Sequence, residues 1–117
     1  MLDTILGKLI TSVDGARAAI FLDHDGEAIA QSGEFVVDVK LLGAWKEIHL
    51  DHIKAITARL GLGSVHAVLF SLEEGNELMA PVLNDYCLLL LLSPYANLQN
   101  AMAGLKTAIA ELIVEIS

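Results

Sequence analysis

Apolar residues recur along this chain with two different periods, and the switches between them mark eight elements. Leu2, Ile5, Leu6, Leu9, Ile10 and Val13 follow the i, i+3, i+4, i+7 spacing of an amphipathic helix over residues 2–13. Asp14-Gly15 stops it, glycine being the usual residue just past a helix end. The short apolar run Ala16 to Asp23 then reads as a strand. His24-Asp25-Gly26-Glu27 is a hairpin turn, because glycine supplies the positive φ of a primed turn, and residues 27–32 form the returning strand. After the loop Gln31 to Glu34, Asp38 is a good N-cap for a long helix running to about Leu60, where Gly61 and Gly63 end it.

Three strands follow. Val65 to Leu72 is the third, Glu73-Glu74-Gly75-Asn76 turns the chain, and Glu77 to Leu83 is the fourth. Pro81 within that strand predicts a bulge or an exposed edge. Tyr86 to Leu92 is the fifth, and its five consecutive leucines predict a strand covered on both faces, inside the sheet. Ser93-Pro94 start a last helix striped by Leu98, Met102, Leu105, Ile109, Leu112 and Ile116. The order α-β-β-α-β-β-β-α, with hairpins and no linker or repeat, predicts one α+β domain over residues 1–117, built on a single five-stranded, mostly antiparallel sheet with helices on its faces.

The long helix changes this picture most. At about 100° per residue, Leu41, Trp45, Ile48, His49, His52, Ile53, Ile56 and Leu60, with Leu42, Ala44 and Ala55, cover about half of its circumference. Lys46, Glu47, Asp51, Lys54 and Thr57 take the other half, and Leu50 stands alone among them. A helix lying on a sheet needs a stripe of only about 100°. The excess predicts that one side of the arc packs on the helix's own sheet and the other meets a second molecule.

Composition points the same way. Hydrophobic residues make up 55% of the chain and mean hydropathy is +0.59, high for a soluble monomer. No apolar run approaches the roughly 20 residues of a membrane span, and Met1-Leu2-Asp3 does not begin a secretory signal. The single Cys87 has no disulfide partner and no zinc spacing, which fits a reducing cytoplasm. The net charge of -8 disfavours nucleic acid and anionic membrane surfaces. Residues 38–61 nevertheless sum to +1, leaving -9 on the remainder. A near-neutral helix in an acidic chain is where a second copy can approach without repulsion.

The run Gly15-Ala16-Arg17-Ala18-Ala19-Ile20-Phe21-Leu22-Asp23-His24-Asp25-Gly26-Glu27-Ala28-Ile29-Ala30 resembles the first hairpin of the Roadblock/dynein light chain family. Leu42-Gly43-Ala44, Leu60-Gly61-Leu62-Gly63 and Pro94-Tyr95-Ala96-Asn97-Leu98 continue the resemblance, although Gln99 stands where the family often has glycine. The resemblance implies a profilin-like sandwich with the long helix on one face and both terminal helices on the other. It implies homodimers in which the third strand pairs with its twofold mate and the long helices pack together. It further implies a regulator or scaffold of Ras-like small GTPases. Longer members that act on bacterial polarity GTPases carry extra C-terminal segments, so binding is expected here ahead of full activation.

The expected interface holds Leu41, Trp45, His49, His52, Ile56 and Arg59 of the long helix, with Val65, Ala67 and Leu69 of the third strand. Histidines three apart on a helix can share a metal, but a metal site wants a third ligand, so His49 and His52 read as interface or core histidines. There they would weaken association below about pH 6.5. Asp23 and Asp25 lack the further oxygen ligands of a calcium loop. Glu77 and Asp85 read as solvated charges, and Cys87 as an inert core thiol. Arg17 and Arg59, the latter near the edge of the apolar arc, read as ion-pairing or packing residues. No Gly-Lys-Ser/Thr phosphate loop is present, so this chain is not itself the GTPase. No catalytic set, metal or cofactor is expected. The alternatives to a GTPase regulator are an adaptor without effect on nucleotide cycling and a small-ligand or metal sensor.

Overall fold

The computed structural model describes residues 1–35 and 38–117. Its elements are α1 (Leu2–Ser12), β1 (Ala16–Leu22), β2 (Ala28–Gly33), α2 (Val39–Arg59), β3 (Val68–Leu72), β4 (Gly75–Val82), β5 (Tyr86–Leu92) and α3 (Leu98–Ile116), in the predicted order. One sheet holds all five strands, in the spatial order β2-β1-β5-β4-β3. Every ladder in it is antiparallel.

The leucine run of β5 occupies the centre of the sheet, as both-face burial requires. Leu88, Leu90 and Leu92 face one side, with Ala19, Phe21, Leu78 and Ala80. There α1 and α3 cover them with Ile5, Leu6, Leu9, Leu105 and Leu112. Leu89 and Cys87 face the other side with Ile20, Leu22 and Met79, beneath Leu50, Leu42 and Val39 of α2. The fold is thus a three-layer sandwich in which the terminal helices share one face and the long helix has the other to itself.

Two boundaries differ most from the sequence expectation. The third strand begins at Val68, leaving Val65 and Ala67 in the connection that precedes it. Its ladder with β4 stops at Val68↔Met79, just short of Pro81, which has no amide hydrogen to donate. On its other side β4 pairs with β5 through Pro81↔Cys87 to Val82↔Tyr86, so Pro81 ends one ladder without bulging the other. The last helix starts after Ser93-Pro94. Asn97 is its N-cap, its side chain accepting from the Asn100 N–H at 3.1 Å. Asp38 caps α2 as expected, its carboxylate accepting from the Lys40 and Leu41 amides at 3.0 and 3.2 Å.

Candidate partner-binding surface

The long helix lies on the sheet with an orientation its sequence does not suggest. Its buried residues are Gly43, Lys46 and Leu50. Leu50, isolated among charges on the helical wheel, is 1% exposed and is the residue that anchors the helix. Glu47, Lys54 and Thr57, assigned to the polar half, are half-buried beside it. Only the margin of the apolar arc, at Leu42, His49 and Ile53, reaches inward. The centre of the arc faces away from the protein: Leu41 is 57% exposed, Trp45 54%, Ile48 45% and Ile56 55%. His52 and Arg59 are exposed on the same helix. Arg59 lies eighteen residues, about five turns, beyond Leu41 and so shares its heading rather than the arc's edge.

A charged pair makes this orientation possible. The Lys46 ammonium lies 2.5 Å from a Glu77 carboxylate oxygen on β4, with both side chains largely withdrawn from solvent. The same ammonium sits 3.9 Å from the centre of the Phe70 ring on β3. A lysine beneath a helix is tolerated because carboxylate and ring meet its charge together. Glu77 is therefore an internal ion-pair partner and not the solvated charge expected from sequence. Nothing in the sequence announces this pair, since Lys46 and Glu77 are 31 positions apart and each looks ordinary in its own element.

Alongside it runs an aromatic row. The His49 ring lies 6.2 Å from Trp45 and 6.0 Å from Phe70, and its Nδ1 is buried with no hydrogen-bond partner among the described residues. His49 thus joins the exposed face of α2 to β3. Leu69 and Leu72 of β3 are exposed, and β3 is an edge strand whose second side carries no partner among the described residues. The predicted interface residues therefore lie on three adjoining pieces: the outward face of α2, the free edge of β3, and Val65 and Ala67 before it.

The remaining candidates resolve locally. Asp23 closes the β1–β2 turn by accepting from the Asp25 and Glu27 amides at 2.9 and 3.0 Å. Among the described residues no three His, Cys, Asp or Glu side chains converge as a metal site would need. Burial, and secondarily the Glu47 carboxylate, push the Cys87 thiol up to about 12, which leaves almost no thiolate at neutral pH. Arg17 sits at the irregularity between Ala16 and Ala18, where the β1–β5 register shifts, and donates to the Glu74 carbonyl at 3.1 Å. Arg59 has no carboxylate within ion-pair distance among the described residues.

The exposed apolar face of α2 thus adjoins the open edge of β3. No protein-family model matches the sequence, and no curated protein matches it. Solved structures match closely in shape. A Roadblock/LC7 domain from Streptomyces avermitilis is 16% identical with a TM-score of 0.89, over 97% of this chain and 96% of that one. Myxococcus xanthus MglB is 15% identical with a TM-score of 0.91, over 98% and 94%. MglC from Myxococcus xanthus is 26% identical with a TM-score of 0.69, over 98% and 99%. The chain has the fold of Roadblock/LC7 domains, the profilin-like architecture that its sequence resemblance implied.

Proposed function

We propose that this protein is a homodimeric protein-binding module that regulates or scaffolds a Ras-like small GTPase. One observation carries the reading: the outward row Leu41, Trp45, Ile48 and Ile56 is exposed on a helix whose opposite side already satisfies its own sheet. An apolar face of that extent, continuous with a free strand edge, is the mark of a protein interface. The occupant proposed for it is a second copy, because residues 38–61 sum to +1 while the rest of the chain carries -9. MglB, a similarly folded protein, is seen in a tetrameric arrangement. The GTPase is proposed from the sequence resemblance to the Roadblock family.

Two measurements test the two halves of the proposal. Trp45 emission on serial dilution, alongside sedimentation equilibrium, reads the dimer: a red shift and halved mass are expected together as Trp45 enters water. A monomeric mass with unchanged emission at every concentration removes the dimer. Immobilised protein is then exposed to source lysate with a GTP analogue and, separately, with GDP. Recovery of a Ras-like GTPase in one nucleotide state only is the expected result. Recovery of other proteins regardless of nucleotide overturns the regulatory reading and leaves an adaptor.

A further inference from the structure

We propose that the Glu73–Glu74 turn of each copy docks beside residues 65–67 of the other, its carboxylates meeting Lys106 on α3. This rests on the dimer reading above, with the free edge of β3 paired to its twofold mate as the family resemblance implies, and names a contact outside α2 and β3. Opposed residues of an antiparallel pair share a face, and faces alternate along a strand. When a strand pairs with its own twofold mate, opposed positions must therefore be both even or both odd, and the axis must pass through a residue. With Phe70, the middle residue of β3, on the axis, Leu72 lies opposite Val68 of the second copy and Glu73 opposite its Ala67. With Leu69 on the axis, Glu73 lies opposite Val65. Both registers carry the turn to the same segment.

What awaits it there is suited to an acidic turn. Val65, Ala67, Pro81, Met102 and Ile109, with His66 and Lys106, line a groove of about 520 Å³ between that segment and α3. Lys106 is exposed and has no carboxylate within ion-pair distance among the described residues. Glu73 and Glu74 are exposed, and neither carboxylate has a cation within ion-pair distance among the described residues, the Arg17 guanidinium reaching the Glu74 main-chain carbonyl instead. The groove on the α2 side of the same segment offers Lys54, which is half-buried where Lys106 is exposed. In a chain of net charge -8, an unpaired lysine opposite an unpaired acidic pair supplies electrostatic complementarity that selects this docking.

Sedimentation equilibrium at low salt tests the contact with Lys106→Glu, the double variant Glu73→Lys/Glu74→Lys, and all three substitutions combined. Each reversal alone should weaken the dimer on the order of tenfold, and the combined variant should recover most of that loss. The differences should shrink at high salt, where exposed charges are screened. A combined variant no tighter than the product of the separate losses overturns the contact while the dimer stands. A wild-type chain that is monomeric throughout removes the dimer reading and the contact with it.

Discussion

Gly26 and Gly43 lie back to back, with no room for a β-carbon on either. A β-carbon on Gly26 would stand 2.8 Å from the Gly43 carbonyl oxygen and 2.8 Å from the Ala44 α-carbon. One on Gly43 would overlap the Gly26 carbonyl oxygen. The long helix thus rests its backbone directly on the β1–β2 turn, and Gly26 also needs its φ of +80° to make that turn. This contact fixes the end of α2 nearest β2, as Leu50 fixes its middle.

Gly43→Ala should therefore destabilise the protein even though alanine is the better helix former by about 1 kcal/mol. Forcing atoms into a closed backbone contact costs roughly 1–3 kcal/mol and displaces the neighbours. The substituted helix has to lift off the turn, so a net loss of stability in urea unfolding is expected. Gly63→Ala is the comparison, since nothing lies within 4 Å of its β-carbon position and only its φ of +89° resists. Unchanged or raised stability for Gly43→Ala would show that the crossing is loose.

Glu47 gives a pH dependence with a definite sign. Burial first, and then the Asp51 carboxylate, hold its carboxyl above the ordinary value. A folded-state value above the unfolded one means that folding favours the protonated form. Its stabilising contribution is complete below the unfolded value and is lost as pH rises through the folded one. Glu47→Gln should thus raise the melting temperature at pH 7, and the advantage should vanish below about pH 4. Melting curves of both proteins from pH 3.5 to 8 check this. A constant difference across that range would refute the assignment to Glu47.

How much of this was legible in the sequence depends on the kind of signal. Strand β5 was read to the residue, because five leucines in a row are compatible with only one place in the sheet. The α2 cap at Asp38 and the β1–β2 turn were equally plain, being decided by neighbours a few positions away. The third strand is shorter than its apolar run predicts because the limit on it, Pro81, lies on a different strand. In helix α2 the faces are in part the reverse of what its periodicity predicts. Apolar periodicity does show that a face is buried, but here most of the apolar face is the outward one, and the residues of α2 buried over the sheet are a leucine, a glycine and an ion-paired lysine, flanked by the half-buried Val39 and Leu42. No local pattern encodes Lys46 against Glu77 and Phe70, since only the folded sheet brings them together.

That pair supports the last prediction. Lys46 and Glu77 are both largely enclosed, and the ammonium is shared between a carboxylate and the Phe70 ring. Removing one partner leaves the other charged in a poorly solvated place, a loss of roughly 3–5 kcal/mol for a fully buried pair and less here, where some solvent reaches both. Lys46→Met should be strongly destabilising by itself, since methionine keeps the packing but abandons Glu77. Lys46→Met with Glu77→Leu should recover much of that loss, because apolar replacements of similar volume substitute well for buried ion pairs. Urea unfolding of the wild type, both single variants and the double variant closes the cycle. A favourable coupling of 1 kcal/mol or more, at the middle of the range of about 0.5–3 kcal/mol for residues in contact, is expected. Additive losses would mean that Lys46 is held by the Phe70 ring and its own helix alone, and that the orientation of α2 does not depend on the ion pair.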